Sequence, residues 1–168
     1  YAEAGEKTTK FWANFGEADP REENVEISVR PFCFWPEKTG LNYITVKGFT
    51  ICQASPQWAP PTALQEGMIG PHWSKGWIIE DNLIYESKCV AISLGKDLDS
   101  GHNRGPKGKS KGGTQREQEV IFHALQGNWN KDSIGGHIVR NNIIHDCEQA
   151  GVVGHLGGAF SIIEGNTI

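Results

Sequence analysis

Ile44-Thr-Val-Lys-Gly-Phe-Thr-Ile51, Trp77-Ile-Ile-Glu-Asp-Asn-Leu-Ile84, His137-Ile-Val-Arg-Asn-Asn-Ile-Ile144 and Ser161-Ile-Ile-Glu-Gly-Asn-Thr-Ile168 align without gaps. The third and eighth positions are always Val or Ile, and the sixth is Asn in three of the four (Asn82, Asn142, Asn166). The units start 33, 60 and 24 residues apart. Repetition at such spacings marks an architecture in which one unit cannot bury its apolar side chains alone and neighbours stack to do so. The match between the second and third units runs on through Tyr85–Leu94 and His145–Gly154 at the same offset of 60. Each unit therefore reads as strand, Asn turn, strand and variable loop.

That pattern predicts an all-β chain, a right-handed parallel β-helix with loop insertions. Stacked strands place equivalent side chains about 4.8 Å apart, so Ile and Val form inward columns. A turn Asn can bond the backbone and the next Asn in the ladder. The fourth position gives Lys47, Glu80, Arg140 and Glu164, an outward column of alternating sign. A leucine-rich solenoid would need a Leu spacing that the units lack. Residues 1–24 read as a polar lead-in, and residues 25–168 as a partial β-helix with insertions at about 52–76 and 97–135. Within the longer insertion, Gly105–Gly113 is basic and glycine-rich, a loop signal. Gln115–Gln126 has helical potential, with Val120, Ile121 and Leu125 on or near one face.

The 168 residues suffice for one modest core, to which 16 aromatics contribute. A net charge of −4 gives no general attraction to nucleic acid. No apolar run is long enough to span a membrane. The first residue is Tyr1 and the last residues read as the middle of a strand-turn pattern, so a piece of a longer protein is expected. An open end at Ile168 would expose unpaired backbone, which favours self-association or pairing, a homo-oligomer among the outcomes. Cys33, Cys52, Cys89 and Cys147 contain no C-x-x-C pair. Buried free thiols in a reducing compartment, leaning toward a bacterial cytoplasm, fit better than zinc.

Gly108-Lys109-Ser110 has the end of a phosphate-binding loop, but Asn103 stands where its first Gly is needed. His137 and His145 flank a turn and read as structural. His155 follows the apolar Val152-Val153 at a strand end, and its equivalent one coil earlier is Gly95, beside Lys96. His155 and Lys96 are thus candidate site residues on one cleft face. Trp58 and Trp73 lie in loops, where an exposed indole offers a platform for the C–H face of a sugar ring. Trp129 is a weaker candidate of the same kind. Gln57, His72, His102 and Asn103 complete the loop set. Glu86 with Asp146, and Lys88 with Glu148, are equivalent on adjacent coils. They fall at a turn, so surface roles are expected for both pairs, although glycoside hydrolysis does use two carboxylates.

Further stretches carry a resemblance. Gly40-Leu-Asn-Tyr-Ile-Thr-Val-Lys-Gly-Phe49, Gln57-Trp-Ala-Pro-Pro-Thr-Ala63, Trp73-Ser-Lys-Gly-Trp-Ile-Ile-Glu-Asp-Asn82, Ser87-Lys-Cys89, His137-Ile-Val-Arg-Asn-Asn142 and Trp12-Ala-Asn-Phe-Gly-Glu-Ala-Asp-Pro20 are similar to glycoside hydrolase family 120. The Gln-Trp-Ala-Pro-Pro-Thr stretch is the most specific of them. The resemblance implies a β-xylosidase on a parallel β-helix, removing xylose from short xylo-oligosaccharides with retention of configuration. It implies an Asp nucleophile and a Glu acid/base, and no metal or cofactor. No segment here matches either carboxylate, so both are expected beyond residue 168 and no catalytic residue is assigned within the chain. By coil alignment, the nucleophile's column passes through Gly154 and Leu94. Two other readings are a polysaccharide lyase on the same fold, with Asp97 and Asp99 as its only acidic hint, and a non-catalytic carbohydrate-binding β-helix.

Overall fold

A computed structural model of the chain describes residues 1–61, 63–95, 113–127 and 129–168, with backbone alone for 113–117. Lys96, Asp97, Asp99, His102, Asn103 and the Gly108–Ser110 stretch lie outside the described residues.

Among the described residues, the regular structure is all strand apart from one helix and one 3-10 turn. Three parallel sheets are built in rotation. β3 (Thr45–Lys47), β6 (Ile78–Glu80), β9 (Ile138–Arg140) and β12 (Ile162–Glu164) form the first. β4 (Thr50–Ala54), β7 (Leu83–Ser87) and β10 (Ile143–Cys147) form the second. β5 (Gly67–Ile69), β8 (Val90–Leu94) and β11 (Ala150–Gly154) form the third. Each turn of chain thus gives one strand to each sheet. β1 (Ala2–Ala4) and β2 (Thr9–Phe11) pair antiparallel, apart from the three sheets.

The register is that of the gapless alignment: Thr45, Ile78, Ile138 and Ile162 lie side by side, as do Lys47, Glu80, Arg140 and Glu164. The apolar columns face the core. Val46, Ile79 and Val139 at the third position, and Ile51, Ile84 and Ile144 at the eighth, are all buried. A fully buried side chain of this size stabilises by about 2 kcal/mol. Ile163 and Ile168, on the edge strand and after it, are half or more exposed.

The Asn ladder forms between the first and second sheets. Asn82 Nδ2 donates to the Val46 carbonyl at 3.0 Å and to Asn142 Oδ1 at 3.0 Å. Asn142 Nδ2 donates to the Ile79 carbonyl at 2.9 Å and to Asn166 Oδ1 at 2.9 Å. Their Oδ1 atoms also accept backbone N–H groups from the preceding coil, those of Phe49, Asn82 and Asn142. The residue before each Asn is left-handed (Asp81 φ 56, Asn141 φ 55, Gly165 φ 63), as is Gly48 (φ 74) in the first coil. The corner therefore turns the same way every time, and one side-chain type satisfies its backbone.

The helix α1 (Gly113–Gln126) agrees with the expected helical segment, but its packed face differs. Val120 and Ala124 are buried one turn apart, while Ile121 and Leu125 are exposed. All four thiols are free, yet only Cys89 is buried. Cys52 and Cys147 are half-buried and Cys33 is exposed, which corrects the expectation of four buried thiols. No helix among the described residues is long and apolar enough to cross a membrane.

Candidate functional site

The third sheet separates two groups of candidate side chains. Its central strand β8 is buried at every residue, so both of its faces are covered. One cover is the loop after β4, which carries Gln57 and Trp58. Gln149 Nε2 and Gln65 Nε2 donate to the Ala59 carbonyl at 2.7 and 3.2 Å, and Ser93 Oγ donates to the Gln65 carbonyl at 2.5 Å. Pinned there, Gln57 and Trp58 remain exposed, Trp58 to 68 %. They lie on the approach to the third sheet.

The second group stands at the sheet's far end. His72 and Trp73 follow β5, Gly95 follows β8 and His155 follows β11. Gly154 pairs with Leu94 on the neighbouring strand, and His155 follows it directly. Leu94 is buried and Gly154 exposed. Two rungs of a parallel sheet, roughly 10 Å, separate the strands that carry His72 and His155. A 3-10 turn, Leu156–Gly158, follows His155 and presses on Leu94 and Gly95. Gly157 N–H donates to the Gly95 carbonyl at 3.0 Å. A Cβ at Gly157 would lie 2.0 Å from that oxygen, so only glycine permits the approach.

Trp73 and His72 are half-buried. Trp129 is tied down rather than presented: Nε1 donates to the Leu156 carbonyl at 2.8 Å and the ring stacks on Phe160. It braces the turn that carries His155.

Three residues near this end were not among the sequence candidates. The Trp35 ring stacks on His72 with centroids 5.3 Å apart. The half-buried Glu66 lies within electrostatic reach of His72, and its carboxyl is raised above the usual range, chiefly by burial, while His72 works the other way. His137 was read as structural, and it is fully buried. Its Nδ1 accepts the Trp77 backbone N–H at 3.1 Å, so the neutral ring carries its proton on Nε2. Burial lowers its pKa to about 4, opposed by the Gly157 backbone beside it. No spacing rule points to Trp35, which meets His72 across the stack, or to Glu66, which shares with His72 a segment outside the repeating units.

The turn carboxylates do surface work. Lys88 and Glu148 form an ion pair at 2.6 Å, and the Glu148 carboxylate holds the Lys88 ammonium above its usual range. Asp146 pairs with His145 at 2.8 Å, and the His145 ring lies flat on Tyr85. In the column expected to face outward, Glu80 is buried and bridges Lys47 at 2.9 Å and Arg140 at 2.6 Å. Lys47 first and Arg140 next hold the Glu80 carboxyl below its usual range. Among the described residues, no group of three or more His, Cys, Asp and Glu could hold a metal ion.

Comparison with protein-family models gave no match, and comparison with curated proteins gave none. Among solved structures, the complex of XylC with xylose matches at 55 % identity and a TM-score of 0.92. The match covers 99 % of this chain and 26 % of that one, so the chain spans about a quarter of the length of XylC. This likeness supports the resemblance to glycoside hydrolase family 120 read from the motifs.

Proposed function

We infer that this chain is part of a retaining β-xylosidase that removes xylose from short xylo-oligosaccharides. The carrying observation is the match of nearly the whole chain to a structure solved with xylose. The rotation of strands through three parallel sheets is, in this reading, a partial right-handed parallel β-helix spanning residues 25–168, with residues 1–24 as its lead-in. The far end of the third sheet forms one wall of the sugar cleft.

In that wall, His72 and His155 meet sugar hydroxyls and Trp73 offers a ring face to sugar C–H groups, while Trp58 offers another from the approach to the sheet. Gln57 adds a hydrogen bond at the approach, and Lys96, His102 and Asn103 are further sugar-contact candidates from the sequence. The chemistry needs an Asp that attacks the anomeric carbon and a Glu that protonates the leaving oxygen and then activates water. Both are assigned outside this sequence, so the chain binds sugar without hydrolysing it. No cofactor takes part.

Two assays test the reading. The parent protein should hydrolyse an aryl β-xyloside with retention. The 168-residue chain should bind xylose and release nothing. Release of unsaturated uronide from pectic polymers by the parent would replace the reading with a lyase. A parent that binds xylose and cleaves no xyloside would leave a carbohydrate-binding protein.

A further inference from the structure

Left-handed residues occur in two kinds. Nine described non-glycine residues have positive φ, and seven of them sit at corners that recur from coil to coil. Tyr43 and Phe160 share a corner with Gly76 and Gly136. Asp81 and Asn141 share one with Gly48 and Gly165. Gln53, Glu86 and Asp146 share the third. A conformation repeated in every coil belongs to the fold. His72 (φ 47) and Trp73 (φ 56) are the two left over, and among the described residues Gly95 and His155, which correspond to His72, do not share its conformation. Two adjacent strained residues persist only where their surroundings hold them.

The surroundings are specific. Cys33 and Phe34 run alongside β5, with Phe34 bridged to Ile69 and the Gly70 N–H donating to the Phe34 carbonyl at 3.0 Å. This brings Trp35 over Gly70, where a Cβ would lie 2.3 Å from Trp35 Cζ3. The Trp35 ring is held on one side by Phe32, centroids 5.1 Å apart, and stacks on His72 at 5.3 Å on the other. His72 Nδ1 lies 2.5 Å from the Pro36 carbonyl. That oxygen can only accept, so the neutral ring carries its proton on Nδ1 and its lone pair on Nε2.

We propose that Trp35 is a positioning residue for His72, fixing one orientation and one tautomer of the imidazole at the sugar-binding end of the third sheet. The proposal rests on the sugar-binding reading of His72 given above. Trp35 itself touches the histidine and not the sugar. A ring held in advance spares the ligand the cost of ordering it.

Imidazole ¹⁵N shifts and xylose titrations on the full chain test this, using Trp35→Leu and Trp35→Phe. Trp35→Leu should give His72 shifts averaged between tautomers and lower xylose affinity roughly tenfold. Trp35→Phe keeps a stacking ring and should restore most of both. Unchanged His72 shifts and affinity in Trp35→Leu would overturn the proposal. If that variant does not fold, Phe32→Leu removes the far side of the stack without touching His72, and the same two readouts should move in the same direction. Absence of xylose binding by the unaltered chain would sink the sugar reading of His72 instead. The ring shifts alone would then uphold or overturn the positioning role.

Discussion

The corner between the first and second sheets and the far end of the third sheet are both built from tight backbone, and they differ in one respect. The first repeats. Asn82, Asn142 and Asn166 make the same bonds in successive coils, and a left-handed residue precedes each. The second does not repeat. His72, Gly95 and His155 occupy comparable strand ends with different backbone and different partners. In a stacked fold, what recurs supports the stack, and what departs from recurrence marks a candidate site. The rule is useful because strain alone, counted without regard to period, would have pointed to Phe160 or Glu86 as readily as to His72.

The comparison breaks most decisively at Asn142. Asn142→Ala removes bonds to two neighbouring coils and leaves buried backbone groups unpaired. A loss of about 3 kcal/mol is expected, read from the denaturant midpoint. A change within error would mean that the ladder follows the stack rather than holding it.

His137 sharpens the contrast by titration. Its folded pKa is lowered to about 4 from an unfolded value of 6.5. The unfolded chain therefore takes up the proton first. Stability from this group is complete above pH 6.5 and falls by roughly 3 kcal/mol as the pH drops toward 4. His137→Asn keeps an acceptor for the Trp77 N–H and should flatten that part of the stability–pH curve. A curve equally steep in the variant would assign the slope to other groups.

Glu86→Gly tests whether the recurrent corners belong to the fold alone. Glu86 is exposed and left-handed (φ 53), so glycine should add up to about 1 kcal/mol while leaving xylose affinity unchanged. Trp58→Ala is the reverse case. With the ring 68 % exposed, stability should move by less than about 0.5 kcal/mol while xylose binding weakens several-fold, roughly 1 kcal/mol. The smallest effect belongs to Glu80→Gln. Losing the bridge between Lys47 and Arg140 should lower the melting temperature slightly at low salt, and the difference should shrink as salt is added.

Residues that depend on period were legible in the sequence, and residues that depend on distant contact were not. Ile79 and Val139 could be placed inward, and Lys47, Glu80 and Arg140 in one column, because each sits at a fixed offset in the unit. Asn142 could be placed on Asn166 for the same reason. The left-handed corners escaped notice because Tyr43, Gln53, Glu86 and Phe160 are not residues that advertise positive φ. The helix face was misjudged because Ala124 gives a weak apolar signal beside Leu125, and tertiary packing chose Ala124. Trp35 lies outside all four units and meets His72 only because a separate segment runs beside β5. His72, Trp73 and His155 were named one by one. That they share a sheet end follows from the rotation of strands, while Gln57 and Trp58 fall on its other side.

The asparagine corner has a consequence for how such a chain can change over time. The stretches between strands are longer at the other two corners, between Ala54 and Gly67 and between Leu94 and Ile138, whereas the asparagine corner keeps a constant two-residue step between strands. Alignment of the coils is thus fixed where no loop is inserted. Loops can lengthen, shorten or be exchanged between relatives while neighbouring coils stay in step. The loops are free to drift in sequence on a backbone that does not have to be renegotiated, and a loop transplanted between two corners of this kind should arrive already in register.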